Sequence, residues 1–153
     1  MRALSVGLAG MLAAGLFSAD ALAAGRLVVE DAWIRTAPPA APMRAGYAVL
    51  RNAGDAPLTV SGVHSDVFAS ASIHATLTED GVARMRELPA ITLAPGESVT
   101  LEPGGKHLML MQPKAELGPG AKAELNFEMQ DGSSAAAEFV VREAGVAGDH
   151  AHH

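Results

Sequence analysis

Between Ala121 and Met129 apolar and polar residues alternate without interruption. Ala121, Ala123, Leu125, Phe127 and Met129 fall on one side, and Lys122, Glu124, Asn126 and Glu128 on the other. A period of two is the mark of a strand with one face in a core and one in water. Shorter stretches of the same kind predict strands at Leu27–Arg35, Gly46–Asn52, Leu58–His64, Ala71–Thr78, Val82–Leu88, Ser98–Glu102, His107–Met111 and Ala136–Arg142, about nine in all. Between them stand Asn52-Ala53-Gly54-Asp55, Asp80-Gly81, Ala94-Pro95-Gly96, Pro103-Gly104-Gly105, Gly118-Pro119-Gly120 and Asp131-Gly132. These are residues that accept positive φ or preset a turn. No long helical period occurs, and strands this short and numerous predict an all-β, two-sheet sandwich. The stretch Ala37–Pro42 contains Pro38, Pro39 and Pro42, which lack the donor a ladder needs, and is expected as an exposed loop.

The two ends of the chain do not share this pattern. Arg2 followed by the uncharged apolar stretch Ala3–Phe17 and the small-x-small run Ala21-Leu22-Ala23 reads as a signal peptide, cleaved after residue 23. The apolar run is too short to span a bilayer and no second one follows, so no membrane anchor is expected. Residues 145–153 hold Asp149, His150, His152 and His153 without an apolar period and read as a flexible tail. The sandwich domain is thus assigned to residues 24–144, enough for one ordinary hydrophobic core.

Composition narrows the chemistry. The chain has no cysteine, so disulfides, thiolate metal sites, a cysteine nucleophile and a cysteine-linked lipid are all excluded, and soft-metal chemistry falls to methionine and histidine. A formal net charge of −6 offers no basic footprint for nucleic acid or anionic lipid. There is no G-x-S-x-G elbow, no phosphate-cradling glycine loop and no H-E-x-x-H pair.

In Lys106-His107-Leu108-Met109-Leu110-Met111 the strand period puts His107, Met109 and Met111 on one face and the leucines on the other. A hairpin is expected over Ser72–Glu87, turning at Asp80-Gly81. With those two as its loop, Glu79 opposes Val82, Met85 faces Thr76, and His74 is diagonal to Met85. A slip of two residues would set His74 directly against Met85, and in either register the two share a face. His74, Met85, His107 and Met109 form a neutral, soft donor set that suits Cu(I). Zinc and iron would recruit carboxylate or thiolate, hard ions want oxygen, and a blue-copper centre needs cysteine. Imidazole binds metal only when deprotonated, so copper should leave on moderate acidification.

Other donors are weighed individually. Met111 is a candidate auxiliary ligand, though packing under the site explains it as well, and Met43, after the proline loop, is a candidate entry sulfur. Met129 belongs to an apolar stripe and His64 to a solvated strand end. His150, His152 and His153 could hold Cu(II) without any fold. Four protein ligands leave no open position for a substrate, which speaks against an enzyme; a copper-dependent redox enzyme and a metal-free secreted binding module remain as alternatives.

The spacing H-x10-M-x21-H-x-M, with Glu79-Asp80-Gly81 ahead of Met85-Arg86, Leu93-Ala94-Pro95-Gly96-Glu97 midway, and Pro103 to Met111 at the end, resembles the periplasmic PCu(A)C copper chaperones. The likeness runs from Val28 to Val141 and includes Arg51-Asn52-Ala53-Gly54-Asp55. It implies a cupredoxin-like Greek-key β-sandwich in the periplasm, a Cu(I) site at those four residues, and copper delivery to a cytochrome oxidase subunit or another periplasmic copper chaperone, by a monomer. Ala75 stands where some members carry methionine, so no auxiliary sulfur is expected there.

Overall fold

The alternation read over Ala121–Met129 becomes burial in the computed structural model, which describes residues 24–144. In β9 (Lys122–Met129), Ala123, Leu125, Phe127 and Met129 are buried while Lys122, Glu124 and Glu128 are exposed. The remaining strands are β1 (Leu27–Arg35), β2 (Met43–Asn52), β3 (Leu58–His64), β4 (Phe68–Glu79), β5 (Val82–Glu87), β6 (Ile91–Leu93), β7 (Ser98–Leu101), β8 (Lys106–Pro113) and β10 (Ser134–Arg142). Nine were expected. The tenth, β6, is a three-residue strand, too short for a period to register, that pairs with β3 through Leu58–Leu93 and Val60–Ile91. β2 also begins earlier than expected, at Met43 rather than Gly46, and β4 is longer at both ends.

Pairing follows one path, β5-β4-β8-β2-β1-β10-β9-β3-β6, with β7 added to β2. Several of its neighbours are not consecutive in the chain, which gives the Greek-key crossovers; β1 and β10 run parallel, while the other pairs are antiparallel. The path doubles over on itself. Ile73 of β4, Leu108 and Leu110 of β8, Leu50 of β2 and Ile34 of β1 join Leu58 and Val60 of β3, Leu93 of β6, Leu125 and Phe127 of β9 and Phe139 of β10 in a single core. The molecule is therefore a two-layer sandwich, and the outward face of β5-β4-β8-β2 is left to carry other chemistry.

Two local features set what that face presents. In β1 the register shifts between Glu30 and Trp33, and Asp31 takes a positive φ of 50°. The extra residue reverses parity: Val29, opposite Leu50, packs inward, yet further along it is Ile34 that is buried, so Trp33 turns outward opposite Tyr47. In β2, Gly46 lies against Leu108, and a Cβ there would sit 3.2 Å from the Leu108 Cβ and 3.3 Å from Leu110 Cδ1. Gly46→Val should therefore overpack β2 against β8 and cost about 1–3 kcal/mol, read as a lowered denaturant midpoint.

Candidate metal centre

Leu108 and Leu110 are fully buried, so the intervening residues of β8, His107, Met109 and Met111, face outward as the period of two requires. Register then arranges the neighbours. On β4, His74 stands opposite His107, Ser72 opposite Met109 and Ser70 opposite Met111. On β2, Ala45 stands opposite Met109 and Met43 opposite Met111. Residues directly opposite each other share a face, so His74, His107 and Met109 form one contiguous cluster. The two imidazoles are 6.0 Å apart between ring centroids, with their planes at 24°.

Hydrogen bonds orient both rings. His107 Nδ1 lies 3.1 Å from the Gly105 carbonyl. A carbonyl can only accept, so this nitrogen carries the proton, and in the neutral ring Nε2 keeps its lone pair for a metal. The same carbonyl accepts from Thr76 N at 3.2 Å, which ties β4 to the Pro103–Gly105 turn that aims the ring. His74 Nε2 is 2.9 Å from Ser72 Oγ. A hydroxyl can donate or accept, so the tautomer here is open, but the contact directs Nε2 along the face toward the row of Met109.

Met85 arrives by the hairpin. Asp80 (φ 52°) and Gly81 (φ 77°) are both left-handed, as a two-residue type I′ loop demands, and Glu79 opposes Val82. This is the first of the two registers considered above: Met85 faces Thr76, one pair outward of His74. It lies on an edge strand whose residues are all exposed, and is itself 50 % accessible, against 8 % for His107. Glu79 takes Arg86 at 3.1 Å and Arg84 at 3.4 Å, and by parity this pairing is on the side of the hairpin away from Met85.

Glu87 was not foreseen. It stands directly opposite His74 and is the one charged side chain that β4, β5 and β8 place on this face. The hairpin register contains it, since fixing Glu79 against Val82 also fixes Glu87 against His74. Trp33 and Tyr47 were also missed. Their rings are 4.6 Å apart, Arg142 covers Trp33 at 5.0 Å, and Tyr47, one residue beyond Gly46, puts this aromatic pair at the His107 end of the outer face. Only the parity reversal at Asp31 brings Trp33 there.

The remaining candidates separate cleanly. Met43 is not a loop residue but opens β2, 44 % accessible, directly opposite the half-buried Met111. Met129 is core, as expected. His64 is exposed at the end of β3, with Nδ1 3.2 Å from Glu128. His150, His152, His153 and the signal-peptide segment 1–23 lie outside the described residues. Among the described residues no three histidines or carboxylates converge on a point, so a metal centre here depends on sulfur. A cavity of about 910 Å³ lies under the proline loop, lined by Pro38, Arg44 and Glu116 among others but by none of the four ligand candidates.

Residues 27–141 match the family described as "Putative lipoprotein LpqE-like". A curated relative from Leifsonia xyli subsp. xyli, "Putative lipoprotein Lxx21020", is 31% identical over 116 residues, spanning 75% of this chain and 69% of its own. Among solved structures, Cu(I)-bound DR1885 of Deinococcus radiodurans superposes with a TM-score of 0.62 at 28% identity, covering 82% of this chain and 83% of that one. The apo PCuAC domain from PmoF1 gives 0.63 at 25% identity, covering 78% and 96%. The shared architecture is the cupredoxin-like β-sandwich.

Proposed function

This chain belongs to the LpqE-like, PCuAC-type family, and from that premise we propose that it is an extracytoplasmic copper chaperone that binds one Cu(I) through His74, Met85, His107 and Met109 and hands it to a partner protein. The main support is His74 directly opposite His107, with Met109 in the next row and Met85 on the adjoining edge strand. The donor set is neutral and half sulfur, which favours the reduced ion over Cu(II), zinc and hard cations.

The gradient of exposure suits a carrier. His107 is buried and braced by Gly105, whereas Met85 sits on an open hairpin, so a partner's ligand can replace the outer sulfur first while the inner imidazole still holds the ion. No bond to copper need break before another forms, and the oxidation state does not change. Such a site carries an ion and leaves no fixed vacancy for a substrate. The recipients proposed are a cytochrome oxidase subunit or another periplasmic copper chaperone, the protein acting as a monomer.

The test is an anaerobic competition titration with a Cu(I) chromophore. One equivalent should bind tightly at neutral pH and be released on acidification, because protons compete with the metal for the imidazole nitrogens. No binding at neutral pH would leave a metal-free sandwich module, and copper held well below pH 5 would remove the histidines from the ligand set. Reduced copper bound by the folded domain and Cu(II) held by His150, His152 and His153 are separated by a parallel titration with Cu(II). Deleting residues 149–153 should abolish Cu(II) uptake by the tail and leave Cu(I) binding intact.

A further inference from the structure

Beside the four proposed ligands the same face carries a second pair of thioethers. Met43 at the head of β2 and Met111 on β8 stand directly opposite each other, and Ser70 flanks Met111 on its other side. The adjoining row holds Met109 between Ala45 and Ser72. Alanine and serine are short, so nothing bulky separates the two rows across the strands, and their separation along β8 is only about 6–7 Å. A methionine has three rotatable bonds, enough for the Met109 sulfur to serve either row.

Packing does not explain the pair. The inward positions on either side of Met109 are filled by Leu108 and Leu110, the core of this strand, and Met111 follows Leu110 on the outer face. Met43 is 44 % accessible, and Met111 is only half buried on the outward side. Two polarizable sulfurs set opposite one another at a surface, next to a third, make a donor set with no charge and no hard ligand, selective for a monovalent soft ion.

We infer that Met43 and Met111 form a second Cu(I) site beside the first, joined to it by Met109, where the ion docks before it moves inward. This rests on the four-residue site proposed above, since the handover needs a destination. In the transfer the ion leaves two thioethers while gaining the imidazoles of His107 and His74, with Met109 bound throughout. The charge on copper does not change and no proton is consumed when both rings are neutral.

The experiment uses the full chain labelled with [methyl-¹³C]methionine and titrated with Ag(I), a redox-inert monovalent soft ion. The first equivalent should move the Met85 and Met109 methyl signals, and the second those of Met43 and Met111, while Met129, buried in the core, stays still as the reference. In Met43→Leu/Met111→Leu the second phase should vanish and the affinity of the first persist. Loading of the first site should slow by about tenfold or more, because a docked ion reaches it from an effective concentration well above that in solution.

Met43 and Met111 signals unmoved through two equivalents would overturn the inference, and movement of Met85 and Met109 alone would leave the four-residue site standing without it. Movement of Met43 and Met111 alone would keep the pair as a site but remove its destination, and with it the handover. Unchanged loading kinetics in the double variant would likewise overturn the docking role.

Discussion

Replacing Met85 and Met109 together with leucine should abolish tight Cu(I) binding in a protein that remains fully folded. Leucine keeps the apolar volume, and swaps of this kind usually cost less than about 1.5 kcal/mol in a core. Neither position is core: Met85 is half exposed on an edge strand and Met109 faces outward between Ala45 and Ser72. What is lost is two of four donors. Disturbing even the groups that orient a ligand commonly weakens metal binding 10–100-fold, so deleting two direct ligands should weaken Cu(I) by about a thousandfold or more.

Selectivity should change as well. The donors left are the imidazoles of His74 and His107, directly opposite each other. Two nitrogens without a thioether favour Cu(I) less, relative to Cu(II) or zinc, than the four-residue set does, so the ratio of Cu(I) to Cu(II) affinity should fall in the double variant. Competition titrations of both oxidation states, with circular dichroism on the same samples, measure this directly. A double variant that binds Cu(I) as wild type does would make both methionines packing residues and end the carrier proposal.

How much of this was legible in the residues depends on the scale at which each feature is decided. The outward face of His107, Met109 and Met111 follows from the two leucines between them, because a period of two needs no partner strand to be read. The position of Met85 also follows locally, since Asp80-Gly81 can close the hairpin in a two-residue loop that fixes every pair above it. The juxtaposition of His74 with His107 is different. It depends on β4 pairing with β8 rather than with another strand, a contact between segments some thirty residues apart that no local period encodes. The family resemblance supplied that link.

Other features escaped for definite reasons. β6 is too short to show alternation. Trp33 reaches the site's face only because Asp31 adds a residue to β1, and a bulge leaves no mark in a pattern of apolar positions. Arg44 falls at a core-facing position of β2, opposite Leu110, and is buried, with Nη1 donating to the carbonyls of Ala41 and Met43 and Nε left without a partner. Hydropathy alone places the strand's start after this residue, so Met43 falls outside the strand that the pattern predicts.

Asn52→Leu should produce the opposite phenotype, a large loss of stability with the copper site unharmed. The Asn52 side chain is completely buried and makes four hydrogen bonds: Oδ1 accepts from Arg26 N at 3.1 Å and Gly54 N at 3.0 Å, and Nδ2 donates to Ala56 O at 2.8 Å and Leu93 O at 3.1 Å. It therefore joins the start of β1, the β2–β3 turn and β6. Leucine matches its shape and replaces none of these bonds. At roughly 0.5–1.5 kcal/mol each, with additional cost for partners that stay buried, the loss should be about 3–5 kcal/mol. That is a large part of the 5–15 kcal/mol typical of a domain, and thermal unfolding should move down by some ten degrees or more. The site's own rows lie at the other end of β2, at Met43 and Ala45, so Cu(I) affinity per folded molecule should be unchanged. An ion bound only by the native state adds about 2.7 kcal/mol at a hundredfold excess over its dissociation constant; Cu(I) should therefore restore much of the lost melting temperature in Asn52→Leu, and far less of it once Met85→Leu and Met109→Leu are added. Undiminished rescue in the triple variant would mean the stabilising ion binds somewhere other than at these two sulfurs.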